Sequence, residues 1–398
     1  MSFDEALRRA RAGNPSAQIA EQEILRAEAL VREAQAAWYP QLLGNGTYTR
    51  LDGARVQPNG TGGEEQLIGR DTLNLSAQLS MPLFAPKSWL ASKRAGIATD
   101  AARFTEVDVR RQLALSAGRA YLAVVAAHRQ LDVAGRARKN AQDHDAYAQE
   151  RLKGGLGNRL DAVRAAQDLA TTEVGLRNQL VALSRSREAL GVLLAIDAPV
   201  DAAEIPALPA PPGLGAALES SRSRPDVAAA DARLRQADAT VSDTWSLYAP
   251  ILTAAFTPYL QTPPTPSVPS NGWSAQLVLT VPFYDGGLRY GQIREAKSLA
   301  AEAREQLAAQ LRTAGSEVRA AFDALVHADE ALQAAHRAAA LADVGLHLAE
   351  EAFRAGAVTA LDVLDAARVA RDVESDEANA EDASRQARLE LLAAAGQI

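Results

Sequence analysis

Asp362 and Asp365 carry the sharpest chemical signal in the chain. They stand three residues apart just after a glycine break at Gly356, so on a helix they share one face. Two carboxylates there can gather cations. They can equally serve the helix, with Asp362 as its cap and Asp365 in its first turn, where negative charge is favoured. Asp161 holds the matching place 201 residues earlier, but Arg164 stands where a second acid would be, so Asp161 reads as a cap. Gly154-Gly155-Leu156-Gly157 superficially suggests a phosphate loop. It follows a helix rather than a strand and lacks the Lys-Ser/Thr of a Walker motif, so it reads as a helix-ending turn. The five histidines (His128, His144, His327, His336 and His347) include no pair at i, i+4, and no metal or cofactor site is expected. With no cysteine, disulfides, thiol catalysis and thiolate metal sites are excluded. No Ser-His-Asp set or catalytic carboxylate motif is present, so the chain is not expected to be an enzyme. A net charge of -7 without a basic stripe argues against nucleic acid.

These residues need elements to position them. No apolar run approaches the ~18 residues of a membrane-spanning helix, and the longest helical apolar stretch is only Tyr121 to Ala127. If the chain crosses a bilayer, it must do so with β-strands closed into a barrel. Met1 stands directly before a helix start at Ser2-Phe3-Asp4-Glu5, and no secretory signal is visible. The expectation is that an initiator Met has replaced an export signal.

The sequence reads as two copies of one unit. Asn14-Pro15 and Arg224-Pro225-Asp226 each open a helix, and Tyr39-Pro40 and Ala249-Pro250 each close one, 25 residues apart by their prolines in both cases. Residues 1–198 form the first repeat: helix, strands near 42–50 and 72–81, long helix, tip turn near 153–160, helix. Residues 214–398 form the second, with strands near 251–260 and 273–281 and a tip turn near 355–360. The Pro-rich stretch 199–213 fits a semi-rigid linker between them. Segments 52–71 and 261–272 read as loops.

From Leu325 the apolar steps alternate three and four: Leu325, Ala328, Leu332, Ala335, Ala339, Ala342, Leu346, Ala349, Phe353. That 3.5-residue period signals left-handed supercoiling. The first repeat keeps the register from Val124 to Leu152, broken by Arg138 and Asp145. A helix from Gly287 to Ala355 would be ~100 Å long, which implies a rod, bundle or tube. The segment Thr72 to Met81 alternates strictly, with Leu73, Leu75, Ala77, Leu79 and Met81 on one face. All four strand segments have roughly the ~9–11 residues of a tilted transmembrane strand. Four strands cannot close a barrel around a lumen, so closure predicts a symmetric oligomer.

In order and spacing, the motifs resemble the TolC-type outer-membrane efflux proteins (outer membrane factors) over essentially the whole chain. The matches are Asn14-Pro15, Tyr39-Pro40, Arg224-Pro225-Asp226, Val281-Pro282-Phe283-Tyr284-Asp285-Gly286-Gly287, and Leu361-Asp362-Val363-Leu364-Asp365-Ala366. At the strand-to-helix turn that includes Pro282, Asp285 can cap the helix while Gly286 and Gly287 permit the change of direction.

The resemblance implies a mainly α fold, with long antiparallel coiled-coil helices forming an α-barrel. It implies four β-strands per chain contributed to a trimeric 12-strand transmembrane β-barrel. It places a homotrimer in the outer membrane lipid of a Gram-negative bacterium, extending into the periplasm, with the linker in an equatorial belt. The implied function is a passive exit duct of a tripartite efflux or type I secretion system. A periplasmic adaptor (membrane fusion) protein and an inner-membrane pump of RND or ABC type would feed it, with no cofactor. The resemblance also implies that Asp362 and Asp365 ring the periplasmic entrance, where such carboxylates attract cations and narrow passage for anions. Well-studied relatives hold the closed entrance with a Tyr and an Arg; those places here carry Phe353 and Val358. Packing and polar groups near the tip, such as Arg151, Lys153, Arg159 or Arg354, are expected to hold it instead. Trp245, Tyr248, Tyr259 and Trp273 lie near predicted strand ends, as an interfacial aromatic belt or as ordinary packing. The rival reading is a non-channel structural coiled-coil protein of the periplasm, its alternating segments a small β-meander.

Overall fold

Proline and glycine punctuate a chain that otherwise runs helical for long distances. The computed structural model describes residues 1–58, 64–155, 157–265 and 267–398, with the side chains of 64–66 left aside. Parts of the expected loops 52–71 and 261–272, and Leu156 of the glycine turn, lie outside the described residues. In the first half the elements are α1 (Phe3–Gly13), α2 (Pro15–Ala36), β1 (Gln41–Arg50), β2 (Arg55–Pro58), β3 (Glu64–Ile68), β4 (Asp71–Phe84), α3 (Pro86–Lys153) and α4 (Arg159–Leu193). The second half has α5 (Leu214–Ser221), α6 (Pro225–Ser242), a 3-10 turn (Asp243–Leu247), β5 (Ile251–Thr262), β6 (Asn271–Thr280), α7 (Leu288–Arg354) and α8 (Ala360–Ala394). Pro15, Pro86 and Pro225 each occupy the first position of a helix, where a missing N–H costs nothing and φ is already helical. The expected loop 52–71 is not all loop: β2 and β3 pair within it as an antiparallel hairpin.

The elements gather into two units, each drawing on both halves of the chain. The first unit is Met1–Gln22, Arg103–Ala229 and Ala308–Ile398. Its core centres on fully buried Tyr121, Leu122, Leu190 and Leu389, with Phe3 edge-on to Tyr121 at 5.3 Å. Residues of the 199–213 stretch are tied to this core. The Met1 ammonium donates to the Asp201 carbonyl at 2.8 Å, and the Tyr121 hydroxyl lies 3.0 Å from the Glu204 carbonyl. The Asp201 carboxylate meets His128 Nε2 at 2.7 Å and pairs with Arg187.

A second core of Ala217, Val318, Leu325 and Leu391 explains the Arg224-Pro225-Asp226 motif. Arg224 is buried beside it and grips Asp226 at 2.6 Å, Glu317 at 2.6 Å and the Ala394 carbonyl at 3.4 Å. Burial pushes the Asp226 carboxyl up, but the Arg224 hydrogen bonds and charge, with Gln310, outweigh it and hold the group below the usual range.

The heptad register of α7 shows in its burial. Leu325 is buried, and Ala328, Leu332, Ala335, Ala339, Ala342, Leu346, Ala349 and Phe353 are all partly covered, while most residues between them are exposed. Arg138, which breaks the stripe on α3, pairs with Glu173 of α4 at 3.5 Å.

The second unit is Glu23–Ala102 and Ala230–Leu307 and holds the main sheet, in the order β1-β4-β5-β6, all antiparallel. β4 runs on through Pro82 to Phe84, beyond the expected end at Met81. β1 has already stopped opposite Ser80, so Pro82 lies on a stretch paired on one side only, where a missing N–H is tolerated.

Candidate functional site

The register of the sheet decides which side chains share a face. Leu42 lies opposite Leu79, Leu79 opposite Phe256, and Phe256 opposite Ala275. Extended along the strands, this face carries Leu73, Leu75, Ala77 and Met81 of β4, Ala254, Pro258 and Leu260 of β5, and Trp273, Leu277 and Leu279 of β6. Its large side chains are exposed, Leu277 by 70% and Leu42 by 71%. The opposite face carries Asn45, Thr47, Asn74, Ser76, Gln78, Thr257, Ser274 and Gln276, interrupted by Leu43, Ile251 and Val278. From Leu73 to Met81 the apolar face runs about 26 Å at ~3.3 Å per residue. A continuous, solvent-exposed apolar face backed by a polar one is the dyad pattern of a transmembrane barrel wall. Among the described residues, no helix is long and apolar enough to cross a membrane.

Aromatic residues collect where strands meet helices. Trp38 packs on Tyr39 at 4.6 Å, and Phe84 meets Trp89 edge-on at 5.4 Å. Trp245, Tyr248 and Tyr290 are exposed nearby in the chain, and Phe283 and Tyr284 are 89% and 88% exposed. Of the four aromatics singled out by sequence, Trp245 and Tyr248 fall in this junction group. Trp273 lies on the apolar face, 5.8 Å from Phe256. Tyr259 differs: it lies on the polar face, its ring against Gly272. Sequence reading missed Trp38 and Trp89, although each lies within five residues of a strand end.

At the strand-to-helix corner, β6 stops at Thr280, before Pro282. Gly286 and Gly287 adopt φ of +68° and +95°, a region that favours glycine. The Asp285 carboxylate accepts from the backbone N–H of Gly287 at 3.1 Å and of Arg289 at 3.0 Å, capping α7. Arg289 closes the corner: it donates to Asp285 at 2.7 Å and to the Pro282 and Phe283 carbonyls at 2.9 and 3.3 Å, and it stacks on Tyr248 at 4.6 Å.

The two tip turns end their first helices in the same way. Gly155 and Gly356 have φ of +70° and +78° and return their N–H groups to Leu152 and Phe353. At the second tip, Ala357 N–H also reaches the Ala352 carbonyl, completing a Schellman motif.

The helix starts that follow diverge. Asn158, not Asp161, caps α4, its side chain accepting from Leu160 N–H at 3.0 Å. Asp161 lies in the first turn and lines a cavity of about 310 Å³ with Arg151, Phe353 and Val358. The cap reading of Asp161 is thereby corrected: a cap precedes the first turn by geometry, and Asn158 already fills that place. At α8, Thr359 is the cap and Asp362 reaches back to it, accepting from its N–H and its hydroxyl at 2.7 Å each. The Thr359 hydroxyl and N–H hold the Asp362 carboxyl below the usual carboxylate range. Asp365 is exposed and paired with Arg368 at 2.8 Å.

Arg151 lies over both Tyr147 and Phe353, 5.9 and 5.1 Å from the ring centres, and the rings meet edge-on at 5.9 Å. This joins the end of α3 to the end of α7 where the resemblance suggested polar links. Arg354 pairs with Glu350 at 3.4 Å, and Lys153 and Arg159 are exposed.

A sheet with one exposed apolar face, aromatic residues at its helix junctions and long coiled helices defines a class of protein that meets a membrane with its strands. The chain belongs to the outer membrane efflux protein family, whose model matches residues 6–195 and 217–397. It is a protein of the outer membrane. Among curated proteins it is 28% identical over 375 residues to the fusaric acid resistance protein FusA of Burkholderia cepacia, a match covering 88% of this chain. The chain spans 65% of that relative's length. Solved structures share the fold. The outer membrane protein VceC of Vibrio cholerae matches with a TM-score of 0.82 at 19% identity, covering 99% of this chain and 96% of that one. The CmeC outer membrane channel of Campylobacter jejuni matches with a TM-score of 0.85 at 16% identity, covering 99% and 85%.

Proposed function

We propose that the chain is one protomer of a passive outer-membrane exit duct, built from two copies of one structural unit. The observation that carries this reading is the shared register of β1, β4, β5 and β6, which turns four alternating strands into one apolar wall. β1 and β6 are the margins of the sheet, and in lipid their free backbone groups need partners. Three copies would pool twelve strands and close the wall around a polar lumen. In this reading Asp362 and Asp365 line the periplasmic entrance, and the Arg151 stack on Tyr147 and Phe353 holds each protomer's tip together. Substrate and energy come from a periplasmic adaptor and an inner-membrane pump of RND or ABC type. The relative named for fusaric acid resistance makes fusaric acid the first substrate to test. The rival reading, a structural coiled coil, gives no role to the exposed apolar sheet face.

Purification and planar-bilayer recording test the proposal. The expected result is a detergent-requiring trimer by native mass spectrometry with discrete ion conductance. A water-soluble monomer that conducts nothing would remove the duct. Expression of the chain with its adaptor and pump should also lower a susceptible host's sensitivity to fusaric acid.

A further inference from the structure

His336 of α7 faces Glu377 and Glu381, which stand one turn apart on α8. One ligand atom from each lies within 4.8 Å of the other two, and His336 Nδ1 is 2.5 Å from Glu377 Oε1. The two carboxylates are mostly covered, with side chains 22% and 16% exposed. His336 and Glu377 also line a polar cavity of about 690 Å³, which gives an ion a route in. The placement follows from the helical hairpin: His336 lies 20 residues before Gly356 and Glu377 lies 21 after it, so the antiparallel register brings them level. No spacing within one helix could reveal this.

We propose that His336, Glu377 and Glu381 form a divalent-cation site, with zinc as the ion. One imidazole nitrogen and two carboxylates make a borderline donor set, softer than magnesium or calcium prefers and without the sulfur that copper(I) prefers. Three protein ligands leave a coordination position for water. Two carboxylates balance the charge of the ion. Coordination through Nδ1 leaves the ring proton on Nε2, so an imidazolium must first release one proton to solvent, and acid competes with the ion.

Cations oppose binding: Arg136, Lys139 and Arg371 line the cavity with His336 and Glu377, and two more arginines hold Glu381. Arg385 holds Glu381 at 3.1 Å from the same helix, and Arg129 of α3 approaches it at 3.5 Å. The ion has to draw Glu381 away from them. The consequence is mechanical: zinc would pin α7 to α8 about 30 Å from their turn, at ~1.5 Å per residue.

The test is titration of the detergent-purified full chain with zinc chloride alone, by calorimetry, at neutral pH and again in acid. The expected result is one saturable zinc per chain, weakened as pH falls. His336→Ala and Glu377→Gln should each weaken it at least about tenfold, with circular dichroism confirming that each variant is folded. Arg129→Gln should tighten it, because a competing cation is gone. His327→Ala, whose ring lies 3.4 Å from Glu330 on its own helix, should leave it unchanged. Absence of saturable binding to the parent chain, parent-like binding by folded His336→Ala, or an equal loss in His327→Ala would overturn the proposal.

Discussion

The two tip turns share a stop and differ in the start that follows. Both first helices end on a glycine in the left-handed region. After Gly155 the chain restarts on one amide side chain, Asn158, and the nearest acid, Asp161, faces a cavity. After Gly356 it restarts on a reciprocal arrangement of Thr359 and Asp362, and Asp362 and Asp365 are exposed. The first tip supplies the cation that stacks, Arg151; the second supplies an aromatic beneath it, Phe353, and the anions that face outward. Similar backbone ends therefore carry opposite chemistry, one side gripping and the other presenting charge.

Removing the presented charge should break this comparison most visibly. Asp362→Ala with Asp365→Ala is expected to raise conductance and weaken cation block by about tenfold or more in planar bilayers, since charges a few ångströms apart interact by ~1–4 kcal/mol near a surface. Unchanged block would remove the aspartates from the entrance. The block of the parent channel should also persist as pH falls into the ordinary carboxylate range and fail only below it, because the Thr359 hydroxyl and N–H hold the Asp362 carboxyl below that range. The capping box it closes with Thr359 follows the same sign: its stabilisation is present above the unfolded carboxyl value and is lost as pH falls through the lower folded one.

A smaller effect tests whether the two stops are the same device. Gly155→Ala and Gly356→Ala should each cost about 1–2 kcal/mol in thermal or denaturant unfolding. At both sites an added methyl would meet open space, so the loss comes from backbone conformation alone. Clearly unequal losses would mean that the turns are built differently. The smallest effect sharpens the gripping side. A double-mutant cycle between Arg151→Ala and Phe353→Leu should give a coupling of ~0.5–1 kcal/mol. Arg354→Ala should change stability by no more than about 1 kcal/mol, because the Arg354–Glu350 pair is exposed on the arginine side.

Period and punctuation were legible in the sequence. The heptad from Leu325 to Phe353, the alternation of Thr72 to Met81 and the breaks at Gly155 and Gly356 are local patterns, and local sterics and burial settle them. The parts that were not legible depend on distant register. Asn158 displaced Asp161 as the cap because the cap position lies three residues before the acid, and an Asn side chain caps as well as an Asp. Arg151 found Phe353 across 202 positions, and His336 found Glu377 across 41, through packing that no single segment encodes. The β2–β3 hairpin was hidden in a stretch whose composition reads as turn. Asp362 and Asp365 could be singled out by spacing, but Arg368 as the partner of Asp365 was not.

The corner after β6 carries a consequence beyond its geometry. Within seven residues, 281–287, the chain exchanges one backbone regime for another without an ordinary loop. Arg289 answers a carboxylate and two carbonyls there at once, with a ring at its back. An ammonium of equal charge lacks that planar fork and could not meet the same oxygens together. Arg289→Lys, which preserves every charge, should therefore still unfasten the joint.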